Sequence, residues 1–253
     1  MSDKLKRKSN IRVSKQSELH IIPPGMNCDA EISNDIKDPL PKNTHFALFC
    51  GRPGSGKTSL AVDMLTDPDK YNRKFTAVHV VAPENSIHSL AKDVFKGHKR
   101  MYDTLDADVL EHIMMESEEM ASDGKFSLLM IDDFASELKR KDIMALINRI
   151  VIRRRHMRLS VWIMTQSLRM VPAPVRKVIS HIYMWKPPNN LETQVLYQEM
   201  FFVDKKTGAD LIRFVFKEDP IHTFMMIDCQ QNKAYKNFDE VAWGDEEEEI
   251  MLI

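Results

Sequence analysis

Cysteine is scarce in this chain of 253 residues: only Cys28, Cys50 and Cys229 occur, and they stand far apart. No two have the spacing of a metal-binding pair, and an odd count does not build a disulfide framework. A reducing compartment fits that usage best. No apolar run reaches the about 18 residues that a membrane-spanning helix needs. The first residues are charged rather than apolar, so no secretory signal is visible. An excess of one charge is missing too. The formal net charge is −1, which excludes a chain that binds nucleic acid through bulk basicity. Glycine is also sparse, at 8 residues, yet Gly51, Gly54 and Gly56 fall almost together. Hydrophobic residues make up 43%, enough for a full core without covalent staples. The length suits one large α/β domain with small appendages.

The clustered glycines belong to Gly51-Arg52-Pro53-Gly54-Ser55-Gly56-Lys57-Thr58. This run fits G-x-x-x-x-G-K-[ST] at every required position. Residues 44–50 before it read as a buried strand, and Ser59 to Leu65 after it read as a helix. Strand, glycine loop and helix form the context that supports a phosphate-binding loop rather than a chance glycine-rich turn. Glycines let backbone N–H groups turn inward around phosphates, and the helix N-terminus adds positive potential there. Residues Gly51 to Ser59 are therefore the nucleotide-binding candidates. Lys57 is placed to reach the β- and γ-phosphates of ATP, and the Thr58 hydroxyl to hold Mg²⁺.

Further strands are predicted over 75–81, 126–131, 160–165, 181–185 and 222–228, from apolar or β-rich runs. Helices are predicted over 87–96, 103–121, 138–154, 190–201 and 207–216, from apolar residues spaced by three and four. Alternating strands and helices imply a mostly parallel central sheet with helices on both faces. Ligands then sit at the carboxyl ends of the strands. Residues 1–43 read as a basic arm and an irregular lead-in, with Lys4, Lys6, Arg7, Lys8, Arg12 and Lys15 near the start. Residues 44–238 read as the ATPase domain and 239–253 as an acidic, flexible tail ending in Asp245 to Glu249 and a few apolar residues. Solvated ends are the plain reading of both charge runs; contact of the arm with DNA phosphates is the other.

The strand at 126–131 closes on Asp132-Asp133. An acidic pair there is the expected partner of a phosphate loop: Asp132 for Mg²⁺ and Asp133 for polarising the attacking water. Capping of the next helix is the alternative for Asp133. The following strand ends in Thr165-Gln166-Ser167, which makes Gln166 a candidate sensor of the γ-phosphate or the water. Arg149, Arg153, Arg154, Arg155, His156 and Arg158 crowd the segment between these strands. A cationic helix end accounts for some of them. Ile143, Ile147, Ile150 and Val151 share one helical face, and a helix long enough would bring Arg154 onto it. An arginine acting on a neighbouring subunit's nucleotide is the functional reading, with Arg155 first, Arg158 second and Arg154 third. Arg169, Arg176 and Lys177 are surface charges or the lining of a nucleic-acid path. His45, His79, His181 and His222 fall in predicted strands and read as packing residues, and the many methionines as core filler.

Together these residues resemble the poxvirus-type genome-packaging ATPases of large nucleocytoplasmic DNA viruses, within the FtsK–HerA class of motors. The resemblance rests on Gly51 to Thr58, Leu128 to Asp133, Arg155-His156 with Thr165-Gln166-Ser167, Pro172 to Lys177, and Trp185 to Glu192. It implies a RecA-like P-loop NTPase core and a homo-oligomeric ring, pentamer or hexamer. It implies ATP hydrolysis with Mg²⁺ that drives double-stranded DNA into a capsid, with capsid proteins as further partners and no membrane. It also implies a virus-encoded protein at assembly sites in the host cytoplasm, and in the virion. Two other readings stay open. A nucleotide or small-molecule kinase shares the loop, although only residues 166–177 offer a lid. A nucleotide-gated DNA-loading factor with slow hydrolysis fits the short side chain of Asp133. A GTPase fits less well, because Asn232-Lys233-Ala234-Tyr235 lacks the Asp that reads guanine.

Overall fold

The computed structural model describes residues 30–83, 100–134, 136–219 and 221–243. The helix expected over 87–96, the basic arm and the acidic run Asp245 to Glu249 lie outside the described residues. Among those described, nine strands form one sheet in the order β3-β2-β4-β5-β1-β6-β7-β8-β9. They are β1 (Phe46–Cys50), β2 (Ala77–Val81), β3 (Met101–Tyr102), β4 (Ser127–Asp132), β5 (Leu159–Thr165), β6 (His181–Trp185), β7 (Phe224–Asp228), β8 (Lys233–Lys236) and β9 (Asp239–Val241). Pairings from β3 across to β6 are parallel, and those from β6 to β9 are antiparallel. Every residue of β1, β4 and β5 is buried. A parallel strand covered on both faces has no polar side to show, which is why these segments read as unbroken apolar runs.

The helices are α1 (Lys57–Thr66), α2 (Ala107–Ser122), α3 (Lys141–Arg153), the single turn α4 (Ala173–Arg176), α5 (Asn190–Glu199) and α6 (Lys205–Val215). Both faces of the sheet are covered. On one, Leu110 and Ile113 of α2, Ile143 and Ile147 of α3, Leu196 of α5 and Leu211 of α6 pack with Leu129, Ile131 and Val161. On the other, Ala61 and Met64 of α1 join Phe49, Trp162 and Tyr183. Each fully buried Leu, Ile or Phe contributes about 1.5–3 kcal/mol, so the expected apolar face of α3 alone accounts for several. Its Ile143, Ile147, Ile150 and Val151 are all buried. Buried Met64, Met130, Met164, Met184, Met225 and Met226 bear out the core-filler reading.

Four expectations change. Ile36 and Leu40 of the lead-in are buried with Ala61 and Met64 of α1, so this stretch helps α1 cover the sheet. The Tyr71 hydroxyl fastens it by donating to the Pro41 carbonyl at 2.8 Å. At the other end, Asp239 to Val241 form the edge strand β9, and the Trp243 ring meets Phe201 at 5.5 Å. The folded unit therefore continues past the tail boundary placed at 239. His222 is exposed, in a turn whose amide donates to Asp219, ahead of the strand rather than within it. His45, His79 and His181 are buried as expected. Finally, β3, β8 and β9 were not anticipated: β3 has only 2 residues and β9 only 3, two of them exposed, so neither carries an apolar run.

Candidate nucleotide site

Register brings four strand ends to one place. Cys50 at the end of β1 lies level with Thr165 of β5 and Met184 of β6, and Asp132 of β4 lies level with Met164. Residues 51–56 turn directly from β1 into α1. Gly54 (φ 74°) and Gly56 (φ 102°) take the left-handed conformation that side chains resist. Gly51 is needed for closeness: a Cβ there would stand 2.6 Å from Ser55 Oγ and 3.0 Å from Trp185 Cβ. The N-cap of α1 is Gly56, with no side chain to cap the first turn, so its N–H groups are open to an anion. Ser55 Oγ is buried without a hydrogen-bond partner among the described residues. Arg52, Pro53 and Gly54 are exposed at the loop's crest, and Ser59 is exposed on α1. Beside the loop opens a cleft of about 460 Å³ lined by Arg52, Gly54, Trp185, Pro187 and Ile221.

The Lys57 ammonium lies inside the loop, donating to the carbonyls of Gly51 at 2.8 Å and Arg52 at 3.2 Å. Burial lowers its pKa, while Asp132 nearby works the other way. Thr58 Oγ1 donates to Asp132 Oδ2 at 3.0 Å. Asp132 is 9% exposed, and burial raises its pKa, with Asp133 adding to the rise and Thr58 opposing it. A hydroxyl and a carboxylate converging beside a phosphate cradle are a donor set for a hard, oxygen-seeking cation, so these residues fit Mg²⁺. Asp133 takes φ 60°, a left-handed conformation that Asp tolerates better than most residues. Its Oδ1 lies 3.5 Å from Gln166 Nε2. The capping alternative for Asp133 is not met: the helical turn that follows has Ser136 at its N-cap, and α3 has Arg140.

The arginine segment sits elsewhere. Arg154 to Arg158 connect α3 to the start of β5, at the end of the sheet away from the loop. β5 is 7 residues long, which at about 3.3 Å per residue puts Arg155 roughly 20 Å or more from its own loop. Arg153 pairs with Glu118 at 2.9 Å. The expectation for Arg154 changes: α3 stops at Arg153, and Arg154 Nη1 donates back to the Val151 carbonyl at 2.6 Å. Arg158 donates to the Gly124 carbonyl and lies over the Phe126 ring. Arg176 is not available either. It makes a two-pronged pair with Glu199 at 2.9 Å and donates to the Val171 carbonyl at 2.6 Å, so it braces the segment rather than lining a path. Arg169 and Lys177 are exposed. One buried carboxylate next to Gln166 is not marked by any motif. Glu192 of α5, 4% exposed, accepts from Ser167 Oγ and from the Leu168 amide, immediately after Gln166. Its only signal was membership in the Trp185 to Glu192 stretch.

The family model for zonular occludens toxin (Zot) matches residues 46–232. The chain belongs to the Zot family. The matched span runs from β1 through the turn before β8 and so includes the loop, Asp132-Asp133 and Gln166. No curated protein matches the Zot-family chain in sequence. Among solved structures, B204, the DNA-packaging ATPase from Sulfolobus turreted icosahedral virus, is similar at 16% identity and TM-score 0.57, with 77% of this chain and 97% of that one covered. The genome packaging NTPase B204 from Sulfolobus turreted icosahedral virus 2, in complex with ATP-gammaS, is similar at 18% identity and TM-score 0.55, covering 78% and 98%. The cytoplasmic domain of the Thermomonospora curvata type VII secretion ATPase EccC matches at 13% identity and TM-score 0.56, covering 86% of this chain but 28% of that one. The Zot-family chain thus has the P-loop NTPase fold that the resemblance to packaging ATPases implied.

Proposed function

We propose that this protein is an ATP-hydrolysing motor that works as a ring and moves double-stranded DNA, packaging a viral genome into a capsid at assembly sites in the host cytoplasm. The observation that carries the hydrolytic half is the meeting of Asp133 and Gln166 beside the phosphate loop. The N–H groups of residues 54–59 cradle the β- and γ-phosphates, and Lys57 exchanges its loop carbonyls for phosphate oxygens. The base and ribose have room in the cleft lined by Trp185 and Pro187. Thr58 and Asp132 would hold Mg²⁺, which would neutralise charge on the phosphates when bound. Asp133 accepts a proton from the attacking water, and the Gln166 amide orients that water. Arg155 lies too far to serve its own loop, so in this reading it faces the nucleotide of the next subunit, as an arginine supplied in trans.

The DNA half is supported by the likeness to B204 and by the exposed Arg169 three residues beyond Gln166. Among the described residues no helix is long and apolar enough to cross a membrane. Displacement of a third strand from a linear duplex tests this half. An advancing motor strips the third strand only with hydrolysable ATP. Hydrolysis without stripping would count against duplex translocation.

A further inference from the structure

Immediately after Gln166 the chain is fastened from below. The Glu192 carboxylate, buried in the first turn of α5, has one oxygen on the Ser167 hydroxyl and the other on the Leu168 amide at 2.7 Å. Ser167 Oγ in turn accepts from the Arg169 amide at 3.2 Å, and Thr165 Oγ1 donates to the Ser167 carbonyl at 3.2 Å. The backbone on both sides of Gln166 is thereby fixed. Seven residues along α5, Glu199 grips Arg176, which also holds the Val171 carbonyl. One helix therefore holds both ends of the segment from Ser167 to Arg176. That segment begins at the nucleotide and carries the exposed Arg169 along its course.

We propose that Glu192 is a positioning residue. It sets the aim of Gln166 on the γ-phosphate side of the site, and with Glu199 it makes α5 and residues 167–176 move as one unit when the nucleotide changes. A buried carboxylate without a cation is costly unless its lone pairs are used. Here both oxygens are used on one short stretch of chain, so a small shift at Gln166 passes to the whole segment. A bond that served packing alone would have no reason to act through Gln166, which gives the test its discriminating readout.

This inference rests on Gln166 acting in hydrolysis, so a double-mutant cycle on the full chain is the experiment, read as kcat and KM for ATP. Gln166→Ala alone first checks the underlying reading, and an unchanged kcat there would overturn the role of Gln166 and this inference with it. With Gln166 intact, Glu192→Ala should lower kcat about ten-fold or more and leave KM within about two-fold. In the Gln166→Ala background the same change should lower kcat less than about two-fold. Glu192→Gln should recover most of the rate, because its oxygen still accepts from the Leu168 amide and its NH₂ donates to the Ser167 oxygen. Ser167→Ala removes one of the two bonds from the other side and should repeat part of the loss, which covers the case in which Glu192→Ala fails to fold. Losses that multiply independently of Gln166, or that fall on KM, would overturn the positioning role even if Gln166 proves essential.

Discussion

At the scale of single residues, two side chains at the proposed phosphate site have separable roles, Lys57 and Asp133. The Lys57 ammonium lies inside the loop's turn, where it would neutralise phosphate charge, so Lys57→Ala should abolish hydrolysis and weaken nucleotide binding about tenfold or more. Asp133→Asn is the sharper change. Asn tolerates φ 60° as well as Asp does, so the backbone and the loop stay in place while the base is gone. ATP should bind within about two-fold of normal and turnover should fall at least about a hundredfold, as measured by fluorescent-nucleotide titration and phosphate release. Persistent turnover would move the role of base elsewhere. The sequence made these residues legible because motif chemistry is local: a loop, an acidic pair and a strand tip each announce themselves. Glu192 did not, because its meaning lies in a contact 25 residues away along the chain. Arg176 misled for the converse reason, since a paired arginine and an available one look alike until Glu199 is placed beside it.

At the scale of elements, two close approaches decide where side chains are forbidden. Gly208 of α6 lies against the Tyr197 ring of α5, where a Cβ would come within 2.3 Å of Tyr197 Cζ, and the Tyr197 hydroxyl donates to the Gly208 carbonyl. Overpacking of this kind costs about 1–3 kcal/mol, so Gly208→Ala should lower the urea midpoint while leaving nucleotide affinity unchanged. Gly51→Ala should do the reverse, because its Cβ would collide with Ser55 inside the phosphate cradle: binding is lost with a modest stability change. The strands of the parallel half were legible as unbroken apolar runs. The short strands β3, β8 and β9, at or next to the edges of the sheet, were not, because a strand of 2 to 4 residues is decided by its neighbour's free backbone groups rather than by its own pattern. The cover provided by Ile36 and Leu40 was hidden for a similar reason, as an irregular segment has no period to detect.

At the scale of the whole molecule, buried histidines tie the fold to pH. The His45 ring accepts from the Trp162 indole N–H at 2.8 Å and has its other nitrogen 2.9 Å from the Asn43 carbonyl. Burial, with His181 adding to it, lowers its pKa to about 3, and burial lowers that of His181 to about 4. Unfolded, both return to about 6.5. Below that value the unfolded chain takes up protons that the native state refuses, so stability falls as pH drops from about 6.5 toward 4, by up to about 1.4 kcal/mol per pH unit for each histidine. Urea midpoints at pH 7.5, 6 and 5 should decline in that order, and the decline should be shallower in His45→Gln. Assembly gives a second test at this scale. Arg155→Ala and Lys57→Ala subunits should each be inactive alone and recover part of the activity when mixed, since the two defects then fall on opposite sides of some subunit boundaries. Whether subunits share a site that is driven against DNA can be read from the steady-state ATPase rate per subunit, measured against protein concentration with and without linear duplex DNA. A ring with shared sites should give a rate that climbs with concentration and rises further with DNA. A rate flat on both axes would contradict it and favour a self-contained kinase-like site.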